Sequence, residues 1–336
     1  MVLSDEQLRG LANAAQLYEI WKDVLKGLSN LPGGMYWRVI NSKEYLYQYA
    51  TGAGKQQTRY VAPKTPEAEE RFRDFQEQKR ALQERRTGVE ARLKEFAPVW
   101  RALRLPAIDT TAARILRALD QAGDIADRVL VIGTYALKAY EVEAASPFAV
   151  GMDATEDLDF TLFVDPVSPD PDLPRRLLLT LKQVDPSFIV ATSSSKTVVN
   201  KNGYLVDLLM NKNVANAMGS ATPWKPESFA GQEWLVLGTP VKGVLIDYQG
   251  WPVAIRAPDP RFFALHKLWL SKRKGRSAAK AEKDQRQGLA LLETIKERMP
   301  QFRLDEAFMR SLPEELREQI AAPTPPSEAK DKPSCH

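Results

Sequence analysis

Apolar side chains return with a helical period at both ends of the chain, and short apolar runs alternate with helical stretches in between. Over the first thirty residues, leucine, isoleucine and tryptophan recur every three or four positions, which predicts an amphipathic helix that ends before Pro32. The segment from Met35 to Ala50 is rich in aromatic and β-branched residues and is interrupted by Asn41-Ser42. This pattern predicts a β-hairpin.

A strongly charged stretch follows the predicted hairpin. Thr65-Pro66 supplies a helix cap and a proline at the first helical position. From there to about Phe96 the apolar positions form a narrow stripe. This stripe predicts a long amphipathic helix or a helical hairpin, with Gly88 as its weakest point and Pro98 as its end.

The middle of the chain has the pattern of an α+β protein. Asp109 is placed to cap a helix that runs to about Ala122, and short buried strands then alternate with helices. Strands are predicted over 129–132, 158–164, 188–191, 197–199, 204–210, 234–237, 241–246 and 253–255, and helices over 135–144 and 175–184. After Pro258 the chain is predicted to be helical to about Met299, with a last short helix over 304–321.

The composition limits the chemistry that the chain can carry. Of the 336 residues, 44% are hydrophobic and 27% are charged, which is a composition typical of globular proteins. No run approaches the roughly 20 apolar residues of a membrane span, and the start does not resemble a secretory signal, so a cytoplasmic location is expected. The cysteine Cys335 and the two histidines His266 and His336 are too few for metal sites of those residue types. Carboxylates must therefore carry any metal or acid–base chemistry.

The net charge of +4 is distributed unevenly along the chain. From Arg256 to Arg298 there are twelve lysines and arginines against five acidic residues. Such a local excess is either a solvated helix face or a surface that favours an anionic partner, such as nucleotide phosphate or RNA.

Three short motifs carry the candidate chemistry. A buried strand runs into Gly133-Thr134 and then into a helix; Asp157 and Asp159 stand two residues apart on a second strand; and Asp207 lies inside an apolar strand. Gly133 lets a ligand approach the backbone, and Thr134 with the amides of a helix N-terminus can bind phosphate oxygens.

The spacing of the aspartates predicts a cation site. Residues i and i+2 of a strand share a face, so Asp157 and Asp159 project together while Leu158 and Phe160 face the core. Two close carboxylates repel unless a cation lies between them, and an isolated aspartate in an apolar strand is costly to bury. If the strand of Asp207 lies beside that of Asp157, three carboxylates form an oxygen site suited to Mg²⁺ with substrate phosphates completing its shell.

In order and context, Gly133-Thr134, Asp157-Leu158-Asp159 and Asp207 resemble the motifs of the nucleotidyltransferase superfamily with a DNA polymerase β-type palm. The interval from the glycine to the first aspartate is longer than in the common form, which predicts an inserted loop over about 145–156. The whole chain also resembles the GSU2403-family nucleotidyltransferase-fold proteins, in particular in residues 35–49 and 257–287. Its C-terminal helical part resembles AbiEii-type toxin nucleotidyltransferases, in which a lysine and a later aspartate assist, and Lys267 and Asp284 match those positions.

The resemblance implies a domain organisation. An α+β, polymerase β-like palm, a mixed sheet with helices, would occupy residues 99–257. It would be flanked by an N-terminal helix, β-hairpin and long amphipathic helix over 1–98 and by a C-terminal helical domain over 258–320. The proline-, lysine- and serine-rich residues 321–336 would form a disordered tail.

The resemblance also implies a reaction. A nucleoside monophosphate would move from ATP or another NTP to an acceptor hydroxyl, with release of pyrophosphate. Two Mg²⁺ ions, or Mn²⁺, would be held by the catalytic residues Asp157, Asp159 and Asp207, and Asp207 would accept the proton. The nucleotide would be bound by Gly133, Thr134, Lys267, Arg273, Arg276 and Asp284.

The sequence leaves the acceptor and the biological role open. RNA such as a tRNA end, a protein hydroxyl and a small molecule are all candidate acceptors, and no membrane partner is expected. A toxin of a toxin–antitoxin pair is one role that fits this chemistry. The alternative function is a non-catalytic nucleotide- or RNA-binding module on the same fold; the three retained aspartates count against it, because a binding module needs no paired metals.

Overall fold

The computed structural model describes residues 2–52, 55–148, 157–164, 170–192, 194–210, 212–218, 224, 227–228 and 230–321. The described part is a mixed α+β structure, as the sequence predicts. The expected tail from 322 onward and residues 149–156 of the expected inserted loop lie outside the described residues. None of the helices within the described ranges is both long and apolar enough to cross a bilayer.

The first helix, α1 (Asp5–Asn30), begins with a capping box. The Ser4 hydroxyl accepts a hydrogen bond from the Gln7 amide, and the Gln7 side chain accepts one from the Ser4 amide. The buried side chains of α1, among them Leu17 and Tyr18, lie on one side of the helix, as its apolar period predicts.

An antiparallel sheet follows, in the order β1 (Gly34–Ile40), β2 (Lys43–Gly52) and β3 (Lys55–Pro63). The predicted hairpin is confirmed: β1 and β2 are joined at Asn41 and Ser42, whose positive φ angles of 49° and 59° suit a two-residue turn. The strand β3 extends this hairpin and was not expected from the pattern.

The charged stretch forms one continuous helix, α2 (Pro66–Ala102), so the predicted end at Pro98 is wrong. The Thr65 side chain caps its start, as predicted, and Gly88 does not interrupt it. The last turn survives the proline because Leu93 and Trp100 are each only 1% exposed and share an apolar cluster with α1. Burial of these side chains outweighs the backbone hydrogen bond that a proline removes.

The remaining elements alternate strands and helices before a helical C-terminal part. They are β4 (Ala107–Ile108), α3 (Thr110–Gln121), β5 (Val129–Ile132), α4 (Ala136–Glu143), β6 (Asp157–Leu162), α5 (Leu173–Val184), β7 (Ile189–Ala191), β8 (Ser194–Val199), β9 (Leu205–Met210), α6 (Lys212–Met218), β10 (Glu227–Ser228), β11 (Val241–Asp247), β12 (Pro252–Ala257), α7 (Pro260–Ser271), α8 (Ala278–Arg298), α9 (Glu306–Ser311) and α10 (Glu314–Ala321).

One predicted strand, over 234–237, is wrong. The chain there forms a 3₁₀ turn, Gln232–Val236, because the Trp234 amide donates to the Gly231 carbonyl and the Trp234 ring packs edge-on against Trp269 at 4.9 Å. An apolar run this short can fill the core as a turn as well as a strand.

The central sheet has the order β5-β6-β9-β8-β7, with β10 beside β9. The strands β6 and β9 are parallel, whereas β5-β6, β9-β8 and β8-β7 are antiparallel. One face of β6 and β9 is fully buried, because every second side chain there is apolar. The same apolar core includes Phe263 of α7 and Leu291 and Ile295 of α8, which fixes the C-terminal helices against the sheet.

Candidate active site

The strand pairing brings the three predicted aspartates to one face of the central sheet. Asp159 of β6 lies directly opposite Asp207 of β9 in parallel register, and Asp157 lies two residues earlier on β6. Adjacent strands are about 4.8 Å apart, and side chains at paired positions point to the same face. Leu158 and Phe160, at 0% exposure, occupy the other face.

Gly133 stands against these carboxylates at the end of β5. Its neighbour Ile132 pairs with Asp159, and its φ of +67° lies in the left-handed region. A Cβ atom at this position would overlap with Asp159 Oδ2, so the backbone here approaches the carboxylate as only glycine allows. The Thr134 carbonyl then accepts a hydrogen bond from the Leu137 amide as the chain enters α4.

The carboxyl group of Asp159 has a strongly raised pKa. Its burial raises the pKa to about 7, and the charges of Asp157 and Asp207 add to the rise. Lys267 and Lys196 act in the opposite direction. The face therefore holds more negative charge than its neighbours neutralise, so a proton or a cation is favoured there.

Asp207 is held by the neighbouring strand β8. The Thr197 hydroxyl donates to Asp207 Oδ1 at 2.6 Å, and Lys196 Nζ lies 3.9 Å from Asp207 Oδ2 and 2.9 Å from Glu227. Nothing in the sequence pattern singles out Thr197, because its proximity to Asp207 comes from the antiparallel pairing of β8 with β9.

Helix α7 and the segment that joins it to α8 place cations opposite the carboxylates. Asp284 of α8, 2% exposed, accepts from Lys267 Nζ of α7 at 2.9 Å and from two nitrogens of Arg276 at 2.8 and 2.5 Å. The Arg273 guanidinium lies 4.8 Å from the centre of the Trp269 ring. A buried carboxylate that binds both cations fixes their positions.

All the residues predicted for the site line one cavity of about 290 Å³ between the sheet and the helices α7 and α8. They are Asp157, Asp159, Asp207, Gly133, Thr134, Lys267, Arg273, Arg276 and Asp284. Among the other lining residues are Lys196, Lys280, Lys283, Gln232 and His266, none of which the motifs indicate.

A family model described as nucleotidyltransferase matches residues 110–313, more than half of the chain. The chain belongs to this nucleotidyltransferase family. The enzyme is therefore a transferase of nucleotidyl groups, and the match spans every predicted site residue. No curated protein and no solved structure gives a significant match. The narrower resemblance to the GSU2403-family and AbiEii-type proteins stays a prediction.

The cavity of this nucleotidyltransferase contains two buried polar atoms without a hydrogen-bond partner among the described residues. They are Gln232 Oε1 and His266 Nε2. Burial, with a contribution from Lys267, lowers the pKa of His266 to about 3, so the imidazole is neutral at neutral pH. Atoms of this kind ordinarily bind water or a ligand.

The donor set of the nucleotidyltransferase fits Mg²⁺ in its chemistry. Within the described residues, no group of three or more His, Cys, Asp and Glu side chains is already arranged to enclose a metal ion. Mg²⁺ seldom uses such a cage; it binds through one or two carboxylates together with substrate phosphates and water. The paired Asp159 and Asp207, with Asp157 beside them, provide these oxygens, and the nearby lysines do not fully offset their negative charge.

Proposed function

We propose that this enzyme is an Mg²⁺-dependent nucleotidyltransferase with a polymerase β-type palm, which moves a nucleoside monophosphate from an NTP to an acceptor hydroxyl. The observation that carries the proposal is the parallel register of Asp159 with Asp207 beside the Gly133 turn. We assign the palm to residues 99–257, the cation-bearing helical domain to 258–320 and a separate N-terminal region to 1–98.

The three aspartates Asp157, Asp159 and Asp207 would hold two Mg²⁺ ions, which neutralise the triphosphate and lower the pKa of the acceptor hydroxyl. The acceptor oxygen forms a bond to the α-phosphorus, the bond from that phosphorus to the bridging oxygen breaks, and pyrophosphate leaves. Asp207, oriented by the Thr197 hydroxyl, accepts the proton.

The cations of α7 and of the segment that joins it to α8 suit the triphosphate end of the cavity. Lys267 and Arg276 are held in place by Asp284. A preorganised cation binds the departing pyrophosphate without a further loss of side-chain conformational entropy. Thr134 lines the same space, and its hydroxyl can donate to phosphate oxygens.

Gln232 and His266 suit the nucleobase. A base edge presents both donors and acceptors, and it would satisfy the two buried atoms that have no partner within the described part of the chain. Trp234 and Trp269 pack against His266 with ring centres at 6.2 and 6.0 Å and hold the imidazole in position.

The direct test incubates the protein with each α-labelled NTP, Mg²⁺ or Mn²⁺, and total RNA, cell lysate or small-molecule acceptors. Asp159→Asn/Asp207→Asn should abolish label transfer, whereas Asp127→Asn, at an exposed carboxylate outside the cavity, should not. Equal labelling by the double variant and the wild type would refute the enzymatic proposal. NTP binding without any transfer would instead favour the binding-module alternative, and growth arrest on expression would test the toxin role.

A further inference from the structure

The sheet β1-β2-β3 has one face that consists largely of tyrosines. The register places Tyr36 opposite Tyr47, and Tyr47 opposite Tyr60. Tyr45 and Tyr49 alternate with Leu46 and Gln48 along β2 and therefore point the same way as Tyr47. We call Tyr36, Tyr45, Tyr47, Tyr49 and Tyr60 the tyrosine face; it contains half of the ten tyrosines of the chain.

The opposite face of this sheet supplies the apolar packing. Trp37 contacts Phe72 of α2 with ring centres 5.8 Å apart, and Leu46 is fully buried. The tyrosine face remains accessible: Tyr60 is 48% exposed, and the other four rings are half-buried, partly by one another. These rings are therefore not explained by the needs of the core.

The rings form a continuous array across the three strands. The ring centres of Tyr36 and Tyr47 are 6.0 Å apart with nearly parallel planes, those of Tyr47 and Tyr60 are 5.8 Å apart, and Tyr45 and Tyr49 extend the array at 6.1 and 6.4 Å from Tyr60 and Tyr36. None of the five phenol hydroxyls has a hydrogen-bond partner among the described residues. The Tyr49 ring lies directly over Gly34, where a Cβ atom would overlap with it.

The charge of this segment is strongly positive. Residues 33–64 contain five lysines and arginines and a single acidic residue, an excess of four that equals the net charge of the whole chain. The acidic residue, Glu44, is directed to the opposite face and forms an ion pair with Lys64 at 2.5 Å. On the tyrosine face, Arg38 lies 5.8 Å from the centre of the Tyr47 ring, and Lys43 is exposed at the end of β2.

From these observations we propose that the tyrosine face binds single-stranded RNA. Exposed aromatic rings on a sheet accept unstacked bases, and the neighbouring cations pair with the phosphates. A duplex hides its bases from such rings. The unpartnered phenol hydroxyls can bind the 2′-hydroxyl, which distinguishes RNA from DNA. This binding needs neither NTP nor metal, so it stands independently of the proposed transfer reaction.

The test measures fluorescence anisotropy of a labelled, unstructured oligoribonucleotide with the full-length protein, without NTP or divalent metal. Tyr47→Leu should weaken binding about tenfold, because stacking on an aromatic ring is worth on the order of that factor per base. Tyr47→Phe, which keeps the ring, should bind nearly as the wild type does. Tyr248→Leu, at a 63% exposed tyrosine outside the sheet, is the matched control and should have no effect.

Two further arms test the charge and the choice of ligand. Arg38→Gln and Lys43→Gln should each lower the slope of log affinity against log salt by somewhat less than one. Duplex RNA should bind more weakly than the single strand, and the DNA strand of the same sequence more weakly than the RNA.

Several results would overturn the proposal. Equal affinity of the wild type and Tyr47→Leu would show that the rings do not take part. Equal affinity for duplex and single-stranded RNA would show that only the positive charge of the segment contributes to binding. Equal affinity for DNA would refute the assignment to RNA. A dimer that Tyr47→Leu dissociates, with no RNA binding, would assign the face to contact between copies. A failure here leaves transfer to a protein or a small molecule unaffected.

Discussion

Replacing Gly133 by alanine adds one methyl group at the point where β5 turns towards α4. Because φ is +67°, the alanine pays about 1–2 kcal/mol for the left-handed backbone. The new Cβ would also overlap with Asp159 Oδ2, because the distance between the two atoms would be well below 3.0 Å, a separation that Cβ atoms essentially never show.

The carboxylate must then move by about 1 Å, a displacement that commonly costs on the order of a hundredfold in rate. We therefore expect Gly133→Ala to lower label transfer about a hundredfold and to weaken binding of Mn²⁺, while unfolding in urea shows only the backbone cost.

Gly123→Ala is the matched control for this prediction. Gly123 has a similar φ of +74°, and no atom lies within 4 Å of the added Cβ. Both variants should lose about the same stability, and only Gly133→Ala should lose metal affinity, measured by calorimetry. If Gly133→Ala transfers label at the same rate as Gly123→Ala and binds Mn²⁺ with the same affinity, the position of Asp159 beside the turn is not what the chemistry requires.

Three further predictions concern the charges and the buried polar atoms of the cavity. In the metal-free protein the pKa of Asp159 is higher when folded than when unfolded, so stability should fall as the pH rises from about 4 to about 7; Asp159→Asn should flatten this dependence in urea unfolding. Asp284→Ala should cost about 3–5 kcal/mol of unfolding free energy, because it leaves buried Lys267 without its carboxylate. Lys267→Met should cost less, because Arg276 still binds Asp284, and equal losses would contradict this ranking. His266→Phe removes a buried nitrogen that has no partner in the described region, so the free energy of unfolding should be unchanged or higher. The relative affinities for the four NTPs should change, and unchanged relative affinities would argue against contact between His266 and the base.

Sequence patterns predicted most elements correctly, and the two predictions that were wrong, at Pro98 and over 234–237, have a common cause. Pro98 does not end α2, because Trp100 is buried against α1, and residues 234–237 form a turn because Trp234 packs on Trp269. In both places a long-range contact outweighs the local signal, and no window of sequence contains both partners.

What the sequence determined by itself is local. The alternation along β6 places Asp157 and Asp159 on one face, and the glycine before α4 marks a turn between β5 and that helix. These results need only the period of two in a strand and the steric limits of the backbone.

Only the tertiary structure decided which distant residues meet. The register of β6 with β9 brings Asp207 opposite Asp159, and the pairing of β8 adds Thr197. The packing of α7 on α8 joins Lys267 to Asp284. Strand order, register and helix packing depend on contacts between residues far apart in the chain, so the pattern around any one of them does not contain this information.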